Sequence, residues 1–497
     1  MTEDDVFVLD EQRTEEAIVS GEQVEAYDSA YGWNDDLVNW LNEAGFWDIL
    51  TSMEPDKRAN GIKASILNGV WVVMDLAHIG KIQEVDPVLR DGRIMHEVGF
   101  GIHKVRASLR HGQGVIHRDT LRNHIKRVSV REATRVFYEH VTHMRRKKLI
   151  RGRIYGADGF DIEVSSPDSY EGCGKRWDPD KGRWLYGYKA VLLFNLSDVR
   201  PRIIGLALGP INTDERDLLL EILSSLSCHV APVSQIIDTL VLDRGYWGVG
   251  FFRHLWEKYS LHIVTPGKAK LDACEDVRAL VKLERKVPAI WHVEKRNNKG
   301  KVIAYLRELT PVQGVEVVGE EGDVIKMNAV FMRETNKSTG EVSEAIFFTT
   351  LPIARAPQRI VGYYDMRWNI ENRCNRTLSQ TWKVRTLVGR KFCAIYAQLM
   401  MVAMCYNACR IYEEKNPEEA EETYMKMRQR GMKSLLVSRS AVVFVPRLGV
   451  FAAMSTEKYA DLSARRAVAR VLALTEQGMS IGEAVSTYEK EKKPPGS

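Results

Sequence analysis

Arg153-Ile154-Tyr155-Gly156-Ala157-Asp158-Gly159-Phe160-Asp161-Ile162-Glu163-Val164 has period-2 apolar character and reads as a β-strand with an aspartate, Asp158, inside it. Asp161 has the opposite strand parity, so the two acids belong to opposite faces of the sheet this strand joins. Gly187-Tyr188-Lys189-Ala190-Val191-Leu192-Leu193-Phe194 and Arg202-Ile203-Ile204-Gly205-Leu206-Ala207-Leu208 read as two further strands. A helix follows from Thr213 to Leu223, with Thr213 or Asp214 as its N-cap, and leads into the apolar strand Thr239-Leu240-Val241-Leu242-Asp243. A helix over 249–259 and the strand Leu261-His262-Ile263-Val264 complete the series.

The order β-β-β-α-β-α-β predicts an α/β fold of RNase H-like type, a mixed sheet covered by helices. Such a sheet presents one acid from its first strand, a second from the end of its fourth, and a third from a later helix. Asp158 and Asp243 occupy the first two places. The third is Glu371, in Gly362-Tyr363-Tyr364-Asp365-Met366-Arg367-Trp368-Asn369-Ile370-Glu371-Asn372. At about 3.6 residues per helical turn, Tyr364, Arg367 and Glu371 share one helix face. Three carboxylates so placed suit two divalent ions about 3.5–4 Å apart, one activating an attacking oxygen and the other stabilising the leaving oxygen of a phosphoryl transfer. Hard oxygen ligands select Mg2+ or Mn2+. Each acid also has a plain alternative: a solvated polar residue in an edge strand for Asp158 or Asp161, a turn aspartate before Gly245 for Asp243, and a surface ion pair with Arg367 for Glu371.

Leu242-Asp243-Arg244-Gly245-Tyr246, the Tyr364-x2-Arg367-x3-Glu371 stripe and Ala157-Asp158-Gly159 together resemble the DDE transposases of bacterial insertion sequences, the cut-and-paste group with a Y-R-E-K signature. The resemblance spans about residues 150 to 410. It implies that Asp158, Asp243 and Glu371 bind the metal ions and that Tyr364 and Arg367 hold the DNA end near the scissile phosphate, with Arg244 beside them. It also implies a dimer holding both terminal inverted repeats, and a hairpin intermediate on the element's ends. The family's lysine lies seven residues after the glutamate, where this chain has Leu378. Arg376, Lys383 and Arg385 are the cations available to replace its phosphate contact.

The 497 residues are 44% hydrophobic and 28% charged, enough for a sizeable core and several domains. No apolar run reaches the roughly 20 residues of a membrane span, and the acidic start Met1-Thr2-Glu3-Asp4-Asp5 is unlike a signal peptide; a cytoplasmic protein is expected. Seven scattered cysteines without a C-x2-C pair predict reduced thiols, with Cys405 and Cys409 packed in a core. The net charge of +5 conceals a polarity: residues 1–60 carry 16 acidic and three basic side chains, residues 61–157 eight acidic and 19 basic. The second stretch is expected to face phosphates, through helices over 120–127 and 129–137 (the latter capped by Ser129) and through Arg145-Arg146-Lys147-Lys148.

The expected organisation is an acidic segment 1–60, a basic helical DNA-binding domain 61–150, a catalytic domain 151–410 with a β-rich insertion over 266–350, and a helical region 411–497. In the insertion, Ile290 to Glu294, the turn Asn297-Asn298-Lys299-Gly300 and Val302 to Leu306 read as a hairpin, with strands following over 324–333 and 342–348. Trp291 reads either as an ordinary packing tryptophan or as a candidate to receive a flipped base, since the resembling family uses its insertion against the DNA end. Phe392 to Met404 reads as a buried helix, 413–430 as a linker or solvated helix, and 467–477 with 480–488 as a helix pair for DNA contact, subunit contact or plain helical packing. Two other readings stand beside transposition: a structure-directed nuclease of the same fold, and a decayed DNA-binding protein.

Overall fold

The computed structural model describes residues 7–29, 33–56, 61–268, 271–285, 287–296, 302–319, 322–353, 356–417 and 440–491. They divide into two compact units, one formed by residues 1–128 together with 415–497 and the other by 129–414.

In the first unit, the two ends of the chain share one sheet. Strand β1 (Val8–Leu9) runs parallel to β14 (Val450–Ser455), β14 pairs antiparallel with β13 (Ser440–Val445), and β13 pairs antiparallel with β2 (Glu25–Ser29). Asp10 caps the helix Glu11–Ser20 by accepting from the Arg13 N–H, and Ser455 caps Thr456–Glu476 by accepting from the Lys458 N–H. Ile18 and Leu462 from those helices pack on Val443, Ala452 and Met454 of the sheet. The predicted C-terminal helices are present as Thr456–Glu476 and Ile481–Glu491, the first starting well before 467. The linker over 413–430 falls mainly outside the described residues; its start, Glu413, belongs to the long helix Phe392–Lys415. The helix predicted over 120–127 is Arg118–Ile125.

The second unit opens with the helix Val130–Arg146, whose Ser129 cap accepts from the Glu132 N–H. Its sheet holds β3 (Ile154–Glu163), β4 (Gly174–Asp178), β5 (Arg183–Asn195), β6 (Arg202–Pro210), β7 (Thr239–Val241), β8 (His262–Pro266), β9 (Ala289–Arg296), β10 (Val302–Val318), β11 (Val324–Asn336) and β12 (Val342–Thr349). Across its centre the order is β6-β5-β3-β7-β8, with β5 antiparallel to both neighbours and β7 and β8 parallel to β3. This is an RNase H-like α/β fold. Helix Glu215–His229, capped by Asp214, crosses from β6 to β7; Gly205 gives it room, because a Cβ there would lie 2.1 Å from Ile222 Cγ2.

In the first unit, β13 and β14 stand in the region 411–497 that was expected to be wholly helical, because they pair with the strands β1 and β2 from the start of the sequence; three features of the second unit also depart from the sequence expectation. A strand absent from it, β4, pairs with the start of β5, whose first residue is Arg183 rather than Gly187. A helix, Asp272–Glu284, stands in the insertion where alternation of helix and strand was expected to stop. The insertion strands also continue the main sheet, since β12 pairs with β8 through Phe347↔Pro266 and Thr349↔Val264. The β9–β10 hairpin forms in the register Val302↔Arg296, while its predicted turn 297–300 lies outside the described residues.

The helix Phe392–Lys415 is long and apolar enough to cross a membrane, yet 89% of its most apolar window is buried. Asn407 within it accepts from the Ile203 N–H at 2.8 Å and donates to the Ile203 carbonyl at 2.7 Å, so it continues the hydrogen bonding of β6. Cys405 and Cys409 are buried in this helix and form no disulfide.

Candidate active site

Strand pairing sets the two aspartates side by side. The parallel register Ile154↔Thr239, Tyr155↔Leu240, Gly156↔Val241 brings Asp158 and Asp243 level two residues further on, on neighbouring chains about 4.8 Å apart. Asp158 lies within β3 because that strand runs on to Glu163; Asp243 lies just past the end of β7, where the chain turns into Arg244–Tyr246 and the Asp243 carboxylate accepts from the Arg244 N–H at 2.7 Å. Asp161, on the opposite parity, is held by Arg176 and by Lys189, the latter at 2.6 Å. It is neutralised on the other face and is set apart from the Asp158 pair.

Over the two aspartates lies the helix Pro357–Asn369. Its Arg367 is 3% exposed, with guanidinium nitrogens 3.9 Å from Asp158 Oδ1 and 3.7 Å from Asp243 Oδ1. The Tyr364 hydroxyl stands 3.5 Å from Asp243 Oδ1 and 3.3 Å from Arg367 Nη2, and the guanidinium lies 5.1 Å from the Tyr364 ring centre. Phe347 of β12 packs against that ring at 5.0 Å, which fixes the tyrosine from the insertion side. One buried cation therefore spans two carboxylates and is braced by an aromatic ring.

The α-helical period does not continue to Glu371. Ile370–Asn375 is a π-helical turn, so the expected seven-residue face breaks one residue before the glutamate. The backbone of Glu371 lies in that turn; its side chain lies outside the described residues. Two contacts seat the turn on β3. Ile370 is fully buried beside Gly156, where a Cβ would lie 2.8 Å from Ile370 Cδ1, and Asn375 donates from Nδ2 to Asp158 Oδ2. Asn375 was missed in the sequence, although its spacing of four residues from Glu371 is the one that places two residues on the same helix face. Among the described residues, no three His, Cys, Asp or Glu side chains gather as a metal site. Of the three expected ligands, Asp158 and Asp243 lie side by side, each with an oxygen facing the Arg367 guanidinium.

The other predicted contacts distribute as follows. Arg244 is exposed beside Asp243. Arg376 is exposed and donates to Gln380 at 3.2 Å, while Lys383 is half-buried in a left-handed conformation. Leu378 is 1% exposed, a core residue. Arg385 is exposed over the Phe160 ring at 5.8 Å, and Phe160 follows Asp158 by two residues on the same strand face. Trp291 packs its ring on Arg307 at 5.0 Å, and Arg307 in turn binds Asp365 of the Tyr364 helix at 2.6 and 3.1 Å. Tyr246, buried between Glu215 and the two aspartates, has its phenol pushed well up, first by burial and then by those negative charges.

Residues 152–408, just over half the chain, match the family model of the transposase DDE domain. The chain belongs to the DDE transposase family. Among solved structures, the cryo-EM structure of a piggyBac transposase synaptic complex with hairpin DNA is similar at 10% identity and a TM-score of 0.33, over 92% of this chain and 85% of that one. No curated protein matches. The matched span of this DDE transposase runs from the start of β3 to near the end of the helix Phe392–Lys415, so it contains Asp158, Asp243, Tyr364, Arg367 and the π turn.

Proposed function

We propose that this transposase of bacterial insertion-sequence type cuts its element's ends and joins them to target DNA by a cut-and-paste route. The observation that carries the reading is the level pair Asp158 and Asp243 spanned by buried Arg367. Asp158, Asp243 and Glu371 would hold two Mg2+ or Mn2+ ions, whose chemistry is to lower the pKa of a bound water and offset charge on the leaving oxygen. Asn375 holds Asp158 in one orientation. Arg367, which offsets the charge of both aspartates, would contact a substrate phosphate from the same position. Tyr364 fixes the guanidinium from beside it.

Buried Leu378 serves packing, and Arg385 above Phe160 would make the phosphate contact expected there. Arg244, Arg376 and Lys383 add further contacts to the DNA backbone. The basic helices of 61–150 would bind terminal inverted repeats, and a homodimer would hold both ends together. A hairpin intermediate and a cytoplasmic location belong to the same reading.

The test incubates the full chain with end-containing duplex, a second target duplex and Mg2+. Cleavage and joined products are expected, and Asp243→Ala should abolish both while DNA binding persists. Cleavage that survives Asp243→Ala would sink the assignment. Cleavage without joining would favour the structure-directed nuclease.

A further inference from the structure

The strands β4 and β5 form a hairpin that extends past the end of β3, and its two faces differ in chemistry. Pairing assigns the faces. Asp161 is opposite Lys189 and Glu163 opposite Gly187, so odd-numbered residues of β5 share the Asp161 face. On that face the charges are spent: Arg176 on Asp161, Arg183 on Glu163 at 2.8 Å. Asp158 is opposite Leu192, so the even-numbered residues of β5 continue the active-site face. They lead to Tyr186 and Trp184, and across the hairpin Trp184 pairs with Trp177 and Tyr186 with Lys175.

The two indoles are 48% and 50% exposed, with centroids 5.6 Å apart at 71°. Lys175 Nζ lies 5.4 Å from the Trp184 ring centre. Gly187 fastens the hairpin to the sheet: its φ is +146°, and a Cβ there would lie 1.9 Å from the Ile162 carbonyl oxygen. Trp184 stands eight residues along the strand from Leu192, which pairs with Asp158, so it lies about 26 Å from that aspartate.

A cross-strand tryptophan pair stabilises a hairpin with its rings packed together, yet these rings stay half-exposed beside a lysine, on the face that carries the carboxylates. We propose that this face is a stacking platform for unpaired bases of a DNA strand leaving the active site, with Lys175 beside the backbone. Every base has a π face, so such a platform is indifferent to sequence and falls away with salt only through its one cation. The proposal takes its ligand class from the DNA-cleaving reading but is tested without divalent ions, so loss of cleavage and loss of stacking are scored separately.

The experiment measures binding of the full chain to a duplex with a short unpaired bubble and to the fully paired duplex of matching sequence. Trp177→Val/Trp184→Val keeps strand propensity and removes both rings; Trp177→Phe/Trp184→Phe keeps aromatic faces. The Val pair is expected to lose about tenfold or more in affinity for the bubble and little for the duplex, and the Phe pair to lose less than threefold on either. Wild-type tryptophan fluorescence should be quenched by the bubble alone. Equal affinity of the Val pair and wild type for the bubble would overturn the proposal. So would an equal loss on both DNAs, which would make the hairpin a duplex clamp, or a change of oligomeric state with DNA binding intact, which would make it a subunit contact.

Discussion

Replacing Arg307 with methionine tests whether the insertion sheet holds the catalytic helix in place. Arg307 is 1% exposed; its Nε donates to Glu334 at 2.6 Å, its two terminal nitrogens donate to Asp365 at 2.6 and 3.1 Å, and Trp291 covers its face. Hydrogen bonds to charged groups contribute about 1.5–3 kcal/mol each. Methionine fills the volume but leaves two carboxylates facing each other, and breaking a buried pair from one side costs about 3–5 kcal/mol. Glu334 and Asp365 side chains retain 15% and 33% exposure and can partly rehydrate, so the lower end applies, about 3 kcal/mol. At about 2 °C per kcal/mol for a unit of this size, Tm should fall by roughly 6 °C. Asp365 is one residue from Tyr364 and two from Arg367, so DNA cleavage under folded conditions should fall as well. Adding Asp365→Asn to Arg307→Met removes one stranded charge and should recover part of the stability. Urea unfolding measures this, and an Arg307→Met variant within about 0.5 kcal/mol of wild type would refute the reasoning.

Burial lowers the imidazole of His140 to about 3 and that of His124 to about 4, from an ordinary 6.5. Each binds a proton when unfolded before it does so folded, so its stabilisation is complete above pH 6.5 and is lost as pH falls toward the folded value, about 2 kcal/mol per group by pH 5. Urea midpoints between pH 5 and 7 should show this slope, and His140→Leu should flatten it. Arg385→Ala should weaken DNA binding uniformly across sequences and reduce the log-affinity against log-salt slope by about 0.9; an unchanged slope would exclude a phosphate contact. Gly156→Ala sets a methyl 2.8 Å from Ile370 Cδ1 and 2.9 Å from Leu196 Cδ1, a cost of about 1–2 kcal/mol if both tips yield. Because Ile370 begins the π turn, single-turnover cleavage should slow more than DNA affinity falls.

The strands β3, β5, β6, β7 and β8 were legible because each buries a run of apolar or alternating side chains, which local periodicity reports. Strand β4 was not: Lys-Arg-Trp-Asp at 175–178 has no buried face, and only its pairing with residues 183–187 makes it a strand. Nor was the sheet of the first unit, whose β1 finds its partner about 440 positions away, beyond any local pattern. Leu378 shows the reverse case, where the family pattern predicted a cation and the buried surroundings explain an apolar side chain.

Around the site, what was legible depended on which part of the chemistry a strand or a helix supplies. A carboxylate inside or at the end of an apolar strand stands out against its neighbours, and parallel pairing then fixes Asp158 beside Asp243 with no further choice. A helix face is a weaker ruler, because it assumes a constant turn. Tyr364 and Arg367 obey it, three residues apart within Pro357–Asn369. Past Asn369 the ladder widens to a π turn, and the residue at its end, Asn375, donates to Asp158. Asn375→Leu, which keeps the volume but removes the amide, should therefore leave the fold of the strands intact, free Asp158 from its hydrogen bond to Asn375, and slow cleavage; a variant that still cut DNA at the wild-type rate would show that this contact has no part in the site.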